Sequence, residues 1–183
     1  ILKKGVEVWN KWREGNSTVK VDLTEADLNG MNLNGVDFKW ADLFLASLKA
    51  ASLQAANFSG CSLIEADLSG ANLSGAVFSG ANLLRANCVR TNLDGANFYN
   101  ANLSNANLFN SSVVGARFER TILIQTNLSN ANIVNTIVYG VASWDIKKEG
   151  TIQKDLIITR KDQAKITVDD IEIAQFIYLL LNN

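Results

Sequence analysis

The sequence predicts an all-β solenoid, a chain that turns a corner every five residues and closes a four-sided coil every twenty. Three observations carry this. An apolar residue recurs at every fifth position from Leu23 to Val138. Phe38, Phe58, Phe78, Phe98 and Phe118 lie twenty residues apart without a slip. A small residue, most often Ala, stands two places before nearly every apolar centre, as in Ala66-Asp67-Leu68. Helices and hairpins repeat at 3.6 and 2, so neither explains a period of five. A local period of two around each centre turns the small and the large residue inward together and the Asp or Asn between them outward. Ser, Gly and Asn dominate the next two positions, which gives them turn chemistry.

Four sides per coil follow from the phenylalanines. With that number the centres sort into four vertical stacks. Three of them prefer Leu, and the fourth holds all five Phe and then Val138. Three or five sides would scatter the Phe around the axis. Twenty-four unbroken pentapeptides from Val21 to Gly140 make six coils. At a strand spacing of about 4.8 Å the column is about 29 Å tall. Each coil buries its core only against its neighbours.

The flanks read as caps. Residues 1–20 begin with an amphipathic helix, Ile1 to Gly15, with Leu2, Val6 and Trp9 on one face and Lys3, Lys4, Glu7, Lys11 and Glu14 on the wet side. It is expected to plug the first coil, because an open solenoid end presents unpaired strand groups. After Gly140 the repeat is expected to stop, leaving residues 141–183 as a separate end piece. There, Thr151 to Thr159 reads as a strand, and Thr167-Val168-Asp169-Asp170 as the cap and acidic first turn of a helix ending near Leu181. That helix is apolar nearly all round, from Ile171 to Leu181. Half of it is expected to cover the last coil and half to self-associate as a homodimer or dock a further domain. The absence of an initiator Met, and the end at Asn182-Asn183, read as a piece cut from a longer chain.

Composition excludes more than it assigns. Seventeen Lys and Arg face eighteen Asp and Glu among 183 residues, so no global charge draws nucleic acid or an anionic membrane. No apolar run reaches a membrane span. No leader pattern opens the sequence, and a cytoplasmic chain is expected. With no histidine there is no imidazole base and no histidine-ligated metal. Cys61 and Cys88 fall on inward positions and read as small core residues. Glycines recur at corners, not in a phosphate-binding loop. No cofactor or catalytic group is expected.

Units such as Ala26-Asp27-Leu28-Asn29-Gly30 and Ala71-Asn72-Leu73-Ser74-Gly75 resemble the A(D/N)LXX motif of the pentapeptide repeat family. The resemblance covers residues 21 to 140 and implies a right-handed quadrilateral β-helix, of a kind abundant in cyanobacteria and mostly without an assigned role. The stretches Val6 to Arg13 and Ile171 to Phe176 look like segments that flank such repeats in larger cyanobacterial proteins, some with a TIR-like signalling domain downstream. One branch of the family, including quinolone-resistance proteins, binds DNA gyrase by imitating DNA. From Val21 to Gly140, however, nine acids stand against six bases, a net of −3. DNA of the same height carries about 17 charges. The acids gather in the first coils and the arginines in the last.

The outer surface departs from the pattern in one place. The position after the centre is normally polar, yet on the first face it reads Thr24, Phe44, Ile64, Leu84, Ser104, Ile124, with Trp40 and Leu45 near its foot. Such a stripe marks an interface or the seat of a terminal segment folded back over it. A second set, Ile122, Ile124, Val134, Ile137 and Tyr139, is expected to lie under the tail. The reading that follows is a non-enzymatic scaffold presenting a rigid surface to a protein partner, within a larger signalling or regulatory protein. The alternative is a DNA-mimicking gyrase inhibitor or protector.

Overall fold

The computed structural model describes residues 1–160 and 162–182. From Asp22 onward the backbone pairs in parallel with itself at a constant offset of twenty. Asp22 bridges Asp42, Asp27 bridges Ser47, and the series holds at every fifth residue up to Ile137 with Ile157. Two hydrogen bonds frame each bridge: Leu63 N–H donates to Asn82 O at 2.7 Å, and Asn82 N–H donates to Cys61 O at 2.9 Å. This is parallel β pairing cut to a single rung per side, with a corner between rungs. The architecture is a β-helix.

The corners explain the rest of the repeat. Every fifth residue from Glu25 to Asp155 has positive φ, and Gly holds only ten of these corners. Others are as large as Trp40 (φ 63) and Leu45 (φ 56), at a cost of about 1–2 kcal/mol for an L-residue in that region. The outward Asp or Asn offsets part of this. Its Oδ1 accepts the N–H two residues on, as from Thr24 to Asp22 at 2.9 Å and from Ser59 to Asn57 at 3.0 Å. That contact closes an Asx turn, which a longer Glu side chain does not form.

From Leu33 to Val138 the small and large inward residues are buried together, whereas Val21, Leu23, Ala26 and Met31 in the first coil are half-buried. All five phenylalanines have no exposed surface. Their ring centroids follow one another at 5.6, 5.0, 4.8 and 5.1 Å, and the two middle pairs are parallel within 3°. Where Thr replaces the small Ala, its hydroxyl finds a backbone carbonyl, that of Cys88 in its own coil for Thr91 and one in the coil below for Thr121, Thr126 and Thr136. Thr121 Oγ1 donates to Phe98 O at 2.7 Å and Thr126 Oγ1 to Leu103 O at 2.8 Å.

The expected end of the repeat at Gly140 is corrected. Bridges continue from Ile122, Asn127, Asn132 and Ile137 to Ala142, Lys147, Ile152 and Ile157, and the corners continue at Asp145, Gly150 and Asp155. What changes is the centre position, which becomes Ser143, Lys148, Gln153 and Ile158. The first three face a cap and not another coil and carry hydrogen-bonding groups, while Ile158 stays apolar and packs on the core. Gln175 Oε1 accepts from Ser143 N–H at 2.5 Å and from its hydroxyl at 2.6 Å. Lys148 Nζ pairs with Asp170 at 2.6 Å and Glu172 at 2.5 Å, and Gln153 Oε1 accepts Ile171 N–H at 3.0 Å.

The cap consists of β1 (Leu156–Ile157), β2 (Thr167–Val168) and α2 (Ile171–Asn182). β1 and β2 pair antiparallel, Leu156 with Val168 and Ile157 with Thr167. The expected strand Thr151 to Thr159 is therefore shorter, because most of that stretch belongs to the coil path. Thr167 and Val168 join β2, and the helix cap falls to Asp170. Its Oδ1 accepts from Glu172 N–H at 2.8 Å and Ile173 N–H at 3.2 Å. Ile171, Ala174 and Gln175 are the buried residues of α2.

At the other end the expected helix Ile1 to Gly15 is broken. A 3₁₀ turn, Leu2–Lys4, and α1 (Val6–Gly15) are parted by Gly5 at φ 104. Buried Trp9 sits edge-on to Phe38 at 5.7 Å, and its Nε1 donates to Asp37 O at 2.7 Å. Asn10 bonds Gly35 O at 2.9 Å and Asp37 N–H at 2.9 Å, and buried Arg13 reaches Lys39 O at 2.8 Å. These contacts satisfy the open edge of the first coil's phenylalanine side.

The C-terminal cap is expected to be sensitive to pH at both extremes. Burial works against the Asp170 charge, but bonds from Lys148 and the α2 N–H groups outweigh it and hold the carboxyl below 3.8. Burial likewise opposes the Lys148 charge, and Asp170 and Glu172 outweigh it and hold the amine above 10.5. The Asp170 contribution is present above 3.8 and is lost as pH falls through its lower folded value. The Lys148 contribution is present below 10.5 and is lost as pH rises through its higher folded value. Thermal unfolding should show an acid limb below pH 3.8 that Asp170→Asn makes shallower without removing, because Asn keeps the cap and loses the charge while Asp67 is held low as well. An unchanged limb would assign it to other carboxylates.

Candidate functional site

The first outer face is built by the position after each centre. Coils lie about 4.8 Å apart, so like positions touch in vertical rows. Phe44, Ile64 and Leu84 are half-buried in one such row, and Leu45 beside them is exposed. Trp40 is 56 % exposed. Its indole lies so closely over the Gly60 corner that a Cβ there would sit 2.1 Å from the ring. Only a corner without a side chain allows that placement.

Because the coil path continues past Gly140, the row gains a member that sequence reasoning missed. Trp144 follows Ile124 in register, and the two are 56 % and 39 % exposed, with Ile122 beside them at 38 %. The signal was available, since Trp144 lies twenty residues after Ile124. Trp144 in turn meets α2 across a hollow of about 260 Å³ shared with Gln175, Phe176 and Leu179. The outward face of α2 exposes Ile173, Phe176, Leu180 and Leu181. The expected cover over the second apolar set is divided. Tyr139 is met edge-on by Tyr178 at 5.0 Å and bonded by Arg160 Nε at 3.0 Å, whereas Ile122 and Ile124 stay exposed.

Two ion pairs lie beside the row, whereas Asp22, Glu25 and Asp145 have no cation within 4.0 Å among the described residues. Lys20 meets Asp42 at 3.2 Å, and Arg85 meets Glu65 one coil below it at 3.2 Å. Such exposed pairs contribute little stability.

Elsewhere the chemistry is quiet. Cys61 and Cys88 are buried free thiols, and burial pushes both up to about 12. Both should resist aromatic disulfide reagents at pH 8 in the folded protein and react at once in denaturant, because the thiolate is the nucleophile. Fast native labelling of either would place it on the surface. Among the described residues, no cluster of three or more Cys, Asp and Glu is arranged to hold a metal ion. No helix among them is long and apolar enough to cross a membrane.

A hydrocarbon-filled parallel coil with its irregularities on the outside defines the class of molecule, a tandem-repeat scaffold. The chain belongs to the pentapeptide repeat family. Pentapeptide repeats match it in eight copies, over residues 21–60, 41–80, 61–100, 71–108 and 101–138. No curated protein matches it. Solved structures similar to it include a pentapeptide repeat protein from the Arabidopsis thaliana thylakoid lumen, 33 % identical over 59 % of this chain and 68 % of that one, with a TM-score of 0.41. HetL of the cyanobacterium Nostoc sp. strain PCC 7120, involved in heterocyst differentiation regulation, is 26 % identical over 81 % and 78 %, with a TM-score of 0.33. QnrB1, a plasmid-mediated fluoroquinolone resistance protein, is 18 % identical over 73 % and 74 %, with a TM-score of 0.48.

Proposed function

We propose that the chain is a non-enzymatic scaffold, a right-handed quadrilateral column that presents its first outer face to a protein partner within a larger signalling or regulatory protein. Right-handedness is the general preference of parallel crossovers. The observation that carries the functional reading is the apolar row Phe44, Ile64, Leu84, Ile124 and Trp144, with exposed Trp40 and Leu45 at its foot. The row is apolar in two stretches, Phe44 to Leu84 and Ile124 to Trp144, parted by Ser104. Apolar surface at positions where the repeat accepts Asn, Ser or Thr costs solubility, and interfaces are where that cost is offset. Side chains locked in register by the ladder meet a partner with little loss of freedom.

The test is affinity capture with the wild-type chain and with Ile64→Ser and Leu84→Ser together. Loss of a specific partner at an unchanged unfolding midpoint is expected, and equal capture would overturn the reading. A second copy of the chain is the partner that the outward face of α2 fits, since its one first-turn acid, Glu172, is already paired with Lys148. Phe176→Glu with Leu180→Glu should then convert a dimer to a monomer in sedimentation equilibrium, and a monomeric wild type would sink this part. A DNA-mimicking mode needs a dense anionic skin, and the net of −3 over residues 21–140 does not supply it. The chain should leave gyrase supercoiling unchanged. Inhibition would favour that mode over the scaffold.

A further inference from the structure

The fourth outer face changes character in its last coils. The outward position that reads Asp37, Asn57, Val77, Asn97 and Arg117 lower down becomes Ile137 and then Ile157, two apolar residues in succession bridged to each other in parallel. Both are half-buried. They form the floor of a hollow of about 330 Å³, whose roof includes Thr159, Arg160, Gln163 and Lys165. That size falls at the small end of the range for small-molecule pockets. The roof is anchored at its root, because Ile158 N–H donates to Ile166 O at 3.0 Å just beyond the pairing of β1 with β2.

The polar groups on this roof are donors. Thr159 Oγ1 accepts Ile166 N–H at 3.3 Å, which leaves its hydroxyl hydrogen to give. Gln163 Oε1 accepts Arg160 N–H at 3.2 Å, which leaves its amide NH₂. Arg160 uses Nε on the Tyr139 hydroxyl at 3.0 Å and lies with Cζ 5.2 Å from that ring's centroid, and its terminal nitrogens make no hydrogen bond among the described residues. The wall acid, Glu119, is held by Arg117 Nε at 2.9 Å, so that pair is neutral at home. Neither Arg160 nor Lys165 has a carboxylate within 4.0 Å among the described residues; Asp162 of the same loop acts on Arg160 only through space. Two cations without a carboxylate partner thus line the same hollow as the apolar Ile137 and Ile157, together with the donors of Thr159 and Gln163.

We propose that this hollow binds a small carboxylate with an aliphatic body. The hydrocarbon lies on Ile137 and Ile157, and the carboxylate oxygens take the donors of Arg160, Gln163 and Lys165. Arg recognises such a group in a bidentate, charge-assisted way. The site is independent of the first outer face, so either assignment can fail without the other.

The experiment is two-dimensional amide NMR of the full chain titrated with hexanoate, hexylamine and inorganic phosphate. Hexanoate should give saturable shifts at Ile137, Ile157 and Gln163, hexylamine should give none there, and phosphate should bind at least tenfold more weakly. Arg160→Gln with Lys165→Gln should weaken hexanoate by tenfold or more, with the rest of the spectrum in place. Absence of saturable shifts would overturn the proposal. So would equal response to hexylamine, phosphate as strong as hexanoate, shifts confined to α2, or an unaffected double variant.

Discussion

Replacing Phe78 by Ala is expected to lower the free energy of unfolding by about 3–5 kcal/mol, the range for a large buried aromatic. The ring has no exposed surface and lies parallel between Phe58 and Phe98 at 5.0 and 4.8 Å. Its site cannot collapse, because the backbone ladder fixes the spacing of the coils above and below. The truncation should therefore leave a cavity and strip two stacking contacts together. Val77→Ala is the internal control. That side chain is the next one along the backbone but points outward and is half-buried, so its loss should cost less than about 1 kcal/mol. Urea unfolding of the two variants separates an axial role from a generic one. A Phe78→Ala loss below about 1 kcal/mol would mean that the column is not what holds the molecule together.

Trp9→Ala should be comparably damaging, about 3–5 kcal/mol, although it lies outside the repeat. Its indole is 5 % exposed, closes the lower end of the phenylalanine column and bonds the otherwise open backbone of Asp37. In a solenoid each coil leans on its neighbours, so an uncapped end frays inward. Trp9→Phe separates the two contributions. It keeps the aromatic contact and loses the indole N–H, and should cost about 1 kcal/mol. Equal losses in the two variants would make the hydrogen bond the main contribution, and negligible loss in both would detach α1 from the column's stability.

The axis could be read from the sequence because packing selects strongly there. A five-residue period in Leu and Phe has few structural solutions, and the twenty-residue spacing of Phe38 to Phe118 leaves one. Reading failed where the selecting force changed. At Ser143, Lys148 and Gln153 the inward positions answer to a helix cap and not to another coil, so the apolar centre vanished while the backbone path went on. The surviving trace was two places earlier, in Val141, Ile146 and Leu156. The role of the outward Asp or Asn was also missed, because an Asx turn is a contact to the backbone and leaves no mark in hydrophobic pattern. The apolar row on the first face was visible as far as Ile124. Its extension to Trp144 and α2 required knowing that the coil continues. The hollow over Ile137 and Ile157 depends on a loop folding back over an outer face, which no periodicity encodes.

The central claim is that one parallel stack, offset by twenty residues, runs unbroken through Gly140 and so joins the first outer face to its end cap. Ile122→Cys with Ala142→Cys, in a chain whose buried cysteines are changed to Ala, tests it directly. The two positions bridge in register across the disputed boundary and both point outward, at a separation that suits a disulfide. Mild oxidation should join them within the monomer nearly completely, and Ile122→Cys with Lys147→Cys should not join. Failure of the first pair, or equal bridging by the second, would end the column at Gly140 and cut Trp144 away from the surface assigned to it.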